Sequence, residues 1–383
     1  MELLIVGGRI VTETAVLDPG WLLVRSGTIA AMGAGRPPGI AGTTLDARDL
    51  TVVPGFIDLH THGRAGLDVM EPSADALNHL GLAMAATGVV AYLATLWAAP
   101  ITTLSTLLAR YSLHLSDPPT GARCLGLHLE GPYLNPARRG AQPLPALAQA
   151  NPAALLQLGA EYRGLIRLVT LAPELPMGQE IVTELTKQGI IVSLGHSEAS
   201  YEQAQAAVEA GLSHCTHTYN ALPALHHRAP GALGALLTDD RVSCEIIADL
   251  HHVHPAAIRL LVQAKGLDRV VAITDSIPAA GLPDGEYCMA RQVITVANST
   301  ARLTTGELAG SLISMNQALR NLVEVVGLSL PEAIRLTSAN PARRLGMAGR
   351  GLIAAGYRAD LAFLDQAYRV RQTLLDGLTV YQG

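Results

Sequence analysis

Residues 54–63, PGFIDLHTHG, mark a change of pattern in the chain. Before them lie short β-rich pieces broken by glycine, LLIVGGRIV, GWLLVRSGTIAAMG and TTLDARDLTVVP, as in a small sheet or sandwich. From Pro54 onward an apolar strand, a polar strand end and an amphipathic helix recur instead. The stretch itself runs from Phe56-Ile57 and Leu59 into two histidines separated by one threonine. Side chains alternate along a strand, so His60 and His62 project together from its end, as two nitrogen ligands of one metal would. Taken alone, a His-x-His is a short pattern, and a pair of surface histidines in a loop is the other reading.

Working outward, candidate strands fall at 56–60, 89–95, 123–129, 165–171, 190–194, 213–217, 243–248 and 270–274. Most gaps leave room for a crossover helix, for example SEASYEQAQAAVEAG at 197–211. Eight strand–helix units in a segment of this length predict a (β/α)8 barrel of the TIM type. Two further helical stretches follow, SMNQALRNLVEVVG and SLPEAIRLTSANPARRLG, and the tail GLIAAGYRADLAFLD returns to β-like pieces that suit the N-terminal sheet. Residues 80–109 carry no charge, which superficially suits a membrane span. Thr87-Gly88 and Pro100 divide them into pieces too short to cross, so helix, strand and helix of a covered α/β core are expected.

The 383 residues carry a formal net charge of −5, which gives no global reason to expect nucleic acid or an anionic membrane as partner. The four cysteines, Cys124, Cys215, Cys244 and Cys288, are far apart, and the acidic, weakly apolar start is not a secretory signal. A reduced, cytoplasmic protein is the expectation.

A barrel enzyme places its chemistry at the C-terminal ends of its strands. Those ends carry His60 and His62 on the first strand, His128 and Glu130 on the third, His196 on the fifth, His217 on the sixth and Asp275 on the eighth. Any one of these has a structural explanation. Five strand ends agreeing in ligand-type residues on one rim point to a metal site.

The segments PGFIDLHTHG, HLEGPYLNP, LGHS, THTYNALP, DLHHVHP, ITDS with AAGLPDGEY, and SANPARRLG together resemble the N-acetylglucosamine-6-phosphate deacetylases of the amidohydrolase superfamily, in order over nearly the whole chain. The resemblance implies a metal-bearing barrel over 54–345 and a small β-sandwich built from both chain ends, 1–53 and 346–383. It implies hydrolysis of the acetamide of a phosphorylated amino sugar, releasing acetate, usually by a homodimer. Glu130, His196 and His217 would be the main ligands of a divalent ion, with His60 and His62 forming a second position and Glu130 bridging. Zinc suits two imidazoles and a carboxylate, with iron, cobalt or manganese as alternatives and one or two ions per subunit. Relatives elsewhere in the superfamily bridge two ions with a carbamylated lysine. Here the two lysines, Lys187 and Lys265, lie away from the strand ends, so a bridging carboxylate is the substitute.

Asp275 would take a proton from the attacking water and deliver it to the leaving amine, although Thr274-Asp275-Ser276 is also good helix-cap chemistry. On the substrate side the resemblance implies amide contacts from Asn220 and Ala221, phosphate contacts from Arg228 and His252, and a contact from Leu312. An exposed loop arginine is the other reading of Arg228. His226, His227, His251 and His254 crowd the same two loops. Two departures from the family pattern stand out. Gln142 occupies a position where several relatives have a histidine, and Leu250 replaces a glycine near the phosphate site. A galactosamine-epimer deacetylase is the nearest rival function. A dihydropyrimidinase or aminoacylase type is disfavoured by the missing lysine and the EGP glutamate. A non-catalytic scaffold would have lost ligands that are all present here.

Overall fold

In a computed structural model, described over residues 2–37, 39, 42–115, 120–147, 150–290 and 292–383, eight parallel strands pair in chain order. They are Phe56–Thr61, Val89–Leu96, Arg123–Glu130, Ile166–Leu171, Ile191–Leu194, His214–Cys215, Ser243–Ile247 and Val270–Ile273. These are the barrel strands anticipated, shifted by a residue or so at their ends. The sixth is the shortest. Its ladder stops at Cys215 because His217 leaves the extended region with φ +28°. Helices fill the crossovers, starting where the chain supplies a cap. Ser73 accepts from the Ala76 N–H to open Ala74–Ala85, and Ser200 and Gln203 form a capping box at Tyr201–Glu209. The charge-free stretch is helix, strand and helix, and among the described residues no helix is long and apolar enough to cross a membrane.

The barrel closes between its first and eighth strands with few ladder bonds. Asp275 donates its N–H to the His60 carbonyl at 2.8 Å, and the His62 N–H reaches the Ser276 carbonyl at 2.7 Å. The Asp58 carboxylate adds to these, accepting from the Thr274 hydroxyl at 2.5 Å and the Thr274 N–H at 3.2 Å. Burial pushes the Asp58 carboxyl up to about 6 against these bonds. Asp58 is thus a side-chain seam between two strands that the sequence pattern did not reveal.

The chain ends form a second, mixed sheet. Leu378–Gln382, Val370–Leu375 and Leu361–Leu364 lead to Thr51–Pro54, which pairs with Glu2–Val11, followed by Val16–Arg25 and Thr28–Ala34, while Thr43–Asp46 also pairs with Glu2–Val11. These strands form one hydrogen-bonded sheet, gathered round its own core of Ile5, Ile10, Leu22, Ile29, Phe363 and Leu374.

A third sheet lies between the eighth strand and the final helices: Gly285–Met289, Gln292–Ala297 and Thr300–Leu303. Asn298 and Ser299, both at positive φ, close its second hairpin as a two-residue turn. Met289, Ile294 and Val296 pack it against Trp97, Ala141 and Ile277, beside the barrel mouth.

Candidate metal centre and pocket

His60 and His62 share one side of their strand, with Nε2 atoms 3.3 Å apart. Glu130, ending the third strand, lies between them and the fifth- and sixth-strand histidines. Its Oε1 is 3.1 Å from His196 Nε2 and 3.0 Å from His217 Nε2, and its Oε2 is 3.3 Å from His62 Nε2. Asp275 Oδ1 approaches His62 Nε2 at 3.2 Å and His60 Nε2 at 3.5 Å. Two groups result, His60–His62–Asp275 and Glu130–His196–His217, each with ligand atoms within 4.8 Å of one another and all buried.

The tautomers decide what this arrangement can hold. His62 Nδ1 lies 2.8 Å from the Thr95 carbonyl, and His196 Nδ1 lies 2.8 Å from the Arg138 carbonyl. A carbonyl only accepts, so both rings carry their proton on Nδ1 and present an Nε2 lone pair inward. His217 Nε2 also sits 3.1 Å from His196 Nε2. Lone pairs facing lone pairs and carboxylates in a buried space repel unless a cation lies among them. The donor set therefore fits one or two divalent ions. Without ions, protonated imidazoles have to supply the compensating charge. Burial pushes the Glu130 carboxyl up, but the neighbouring His60, His196 and His217 hold it well below the usual range. Burial likewise opposes ionisation of Asp275, and His60 and His62 keep it lowered.

The cavity over these groups has a volume of about 150 Å³ and is lined in part by Trp97, Gln142, Asn220, Ala221, His252 and Gly310. Gln142 is buried, donating from Nε2 to Glu130 at 2.5 Å and accepting the Ala98 N–H at 2.9 Å. His252 Nδ1 is 2.6 Å from Asp249 Oδ2. Burial works against charge on His252, but this carboxylate holds the imidazole above its ordinary value, at the cavity wall. His196, His217, Ala221 and Asp275 all adopt positive φ, so backbone strain gathers where the side chains converge.

Two of the anticipated substrate residues stand apart. Leu312 lines a neighbouring cavity of about 510 Å³ with Asp249 and Leu250. Arg228 is exposed and bonds His227 Nε2 at 2.8 Å, outside the cavity of its own chain. His226, His227 and His251 are exposed too, and His254 caps the helix Pro255–Lys265. No helix follows Asp275 directly, so the cap reading of that residue falls away. Lys187 is exposed on its helix, and Lys265 donates to the Leu236 and Asp239 carbonyls, so neither reaches the centre.

The sequence reading missed three residues. Trp97 stacks on His62 with ring centroids 3.3 Å apart and 8° between planes. Asp58 and Glu245 are buried acids inside strands. For the last two the sequence says only that a carboxylate within an apolar strand needs a partner, without saying which.

The Amidohydrolase family model matches residues 51–380. An N-acetylgalactosamine-6-phosphate deacetylase of Escherichia coli O157:H7 is 40% identical over 370 residues, covering 96% of this chain and 97% of that protein. An N-acetylglucosamine-6-phosphate deacetylase of Bacillus subtilis (strain 168) is 36% identical, covering 98% and 96%. Among solved structures, a mutant N-acetyl-D-glucosamine-6-phosphate deacetylase from Mycobacterium smegmatis, in complex with N-acetyl-D-glucosamine-6-phosphate, superposes with a TM-score of 0.93 at 34% identity over 100% of both chains.

Proposed function

The chain belongs to the amidohydrolase family, and from that premise we propose that it hydrolyses N-acetyl-D-glucosamine 6-phosphate to D-glucosamine 6-phosphate and acetate. The observation that carries the reading is the buried convergence of Glu130, His196, His217, His60, His62 and Asp275 beneath one small cavity.

Glu130, His196 and His217 would hold one divalent ion, and His60 and His62 a second, with Glu130 shared between them. When bound, such ions acidify water and polarise the acetyl carbonyl. The Asp275 carboxylate, facing both histidines of the first strand, accepts the proton of the attacking water. It then returns that proton to the amine nitrogen as the C–N bond breaks, leaving acetate and the free amine. Gln142 has one N–H committed to Glu130, and its second is free to meet the carbonyl oxygen as charge develops there. Asn220 and Ala221 orient the sugar, and His252, its Nδ1 on Asp249, faces the phosphate. Ligand chemistry supports zinc. In a homodimer, Arg228, exposed on its own chain, would reach the neighbouring subunit's phosphate. The division into a barrel over 54–345 and a unit made of both chain ends, with a cytoplasmic location, completes the proposal.

The galactosamine relative keeps the epimeric substrate as a second reading. Acetate release from both epimers and from the unphosphorylated sugar, with wild type and Asp275→Asn, tests the assignment. The expected result is preference for the phosphorylated glucosamine and a ~10²–10⁴-fold loss in the variant. Activity on the epimer alone reassigns the substrate. Inactivity of the metal-loaded protein on all three refutes the reaction.

A further inference from the structure

Glu245 lies in the seventh barrel strand, Ser243–Ile247, fully buried among apolar neighbours in sequence, and it does not line the cavity. Its carboxylate receives three donors. Oε2 lies 3.2 Å from His60 Nδ1 and accepts the His217 N–H at 3.1 Å, while Oε1 lies 3.1 Å from His214 Nε2. The pattern differs from that of the other imidazoles in the centre. His62 and His196 rest their Nδ1 on backbone carbonyls, and His217 Nδ1 has no hydrogen-bond partner among the described residues. His60 alone of the four is backed by a carboxylate.

A carbonyl and a carboxylate both select the Nδ1–H tautomer, but only the carboxylate adds charge and makes the ring a stronger donor through Nε2. The same carboxylate anchors the main chain of His217, which is held at φ +28°. One buried anion thus supports a ligand from each of the two groups. Its leverage is unequal: it sets the ring of His60, whereas on the other group it touches only the backbone of one member.

We infer that Glu245 is a positioning residue for the His60–His62 metal position, fixing the His60 tautomer and supplying the buried charge that lets this position hold a second dication. The inference rests on the metal reading proposed above. It also separates the two positions: Glu130, His196 and His217 keep their ion when Glu245 is neutralised, and His60 and His62 lose theirs.

The test is metal content and affinity at buffered free zinc for wild type, Glu245→Gln and His214→Gln, each purified as full-length protein. The expected result is two ions per subunit in wild type and in His214→Gln, which removes a partner of Glu245 without touching His60. Glu245→Gln then binds one ion with wild-type affinity and the second ~10–100-fold more weakly. Two ions at wild-type affinities in Glu245→Gln overturn the inference and leave the metal reading standing. A single ion in wild type does the same, and no ion in wild type overturns both. Imidazole ¹⁵N spectra of zinc-loaded wild type give a readout independent of variant folding. They should show His60 as the Nδ1–H tautomer with a hydrogen-bonded, downfield proton, and an Nε2–H tautomer there overturns the inference.

Discussion

Leu250 holds φ +68° where the family pattern has glycine, because Asp249 turns the chain by accepting the His251 and His252 N–H groups at 2.9 and 2.8 Å. A left-handed conformation costs a leucine ~1–2 kcal/mol. Glycine removes that strain, but it gives up a partly buried side chain and gains freedom in the unfolded chain, at ~0.5–1 kcal/mol each. The terms nearly cancel. Denaturant unfolding should therefore place Leu250→Gly within ~1 kcal/mol of wild type, while Leu250→Val, β-branched in the same conformation, loses ~2 kcal/mol. Gly310 is a case where the side chain itself does harm. A Cβ there would meet Ile277 Cγ2 at 2.5 Å and the Asp275 carbonyl oxygen at 2.9 Å. Gly310→Ala should displace the base and lower kcat at least ~10-fold with metal content unchanged, a 1 Å misplacement being enough. Single residues were legible where they end strands, as His60, Glu130 and Asp275 do. Asp58 and Glu245 were not, because a buried carboxylate takes its meaning from partners such as Thr274 and His214, far away in the chain.

Among the elements, the barrel strands could be read because each is short, apolar and flanked by helix-length segments. The three-stranded sheet at 285–303 escaped, although Asn298-Ser299 between QVITVA and TARL is a hairpin signal. Its second and third strands are exposed on alternate residues, and the sheet sits inside a crossover where the barrel pattern predicts a helix or a loop. The turn from helix Gly231–Thr238 into the seventh strand shows how charge secures such joints. Asp239 accepts from Arg241 Nε at 3.0 Å and from its Nη2 at 2.6 Å, and Arg241 also reaches Glu209. The Arg241 guanidinium holds the Asp239 carboxyl down to about 2. A depressed folded value stabilises above the unfolded value of ~3.9 and fades as pH falls toward the folded one. The Arg241 side chain is half exposed, so solvent screens the pair and its contribution is small. Arg241→Ala should melt slightly below wild type at pH 7. That gap should shrink by about half at pH 3, midway between the two values. A gap that is constant or wider at pH 3 would assign the effect to packing instead.

At the scale of the whole molecule, residues that act together are far apart in the chain, from His60 to Asp275, and come from five different strand ends of the barrel. The joining of the two chain ends in one sheet was legible from the β-like tail, whereas its single-sheet topology depends on Thr51–Pro54 pairing on both sides, which no local pattern encodes. The spread of the ligands has a thermodynamic consequence. An unfolded chain cannot assemble them, so an ion binds the native state alone and its binding energy adds to folding stability. At a free concentration of 100 times the dissociation constant this amounts to ~2.7 kcal/mol per ion. With ~2.1 cal/mol/K of unfolding entropy per residue over 383 residues, that is a rise in Tm of about 3 °C per ion. Removing the metal with a chelator should lower the melting temperature accordingly and abolish acetate release, and adding zinc should restore both. Melting should then climb by roughly 2 °C per bound ion for each tenfold increase in free zinc above the dissociation constant. A melting temperature indifferent to free zinc over several decades would mean that the buried histidines and carboxylates hold no ion and neutralise one another as protonated pairs.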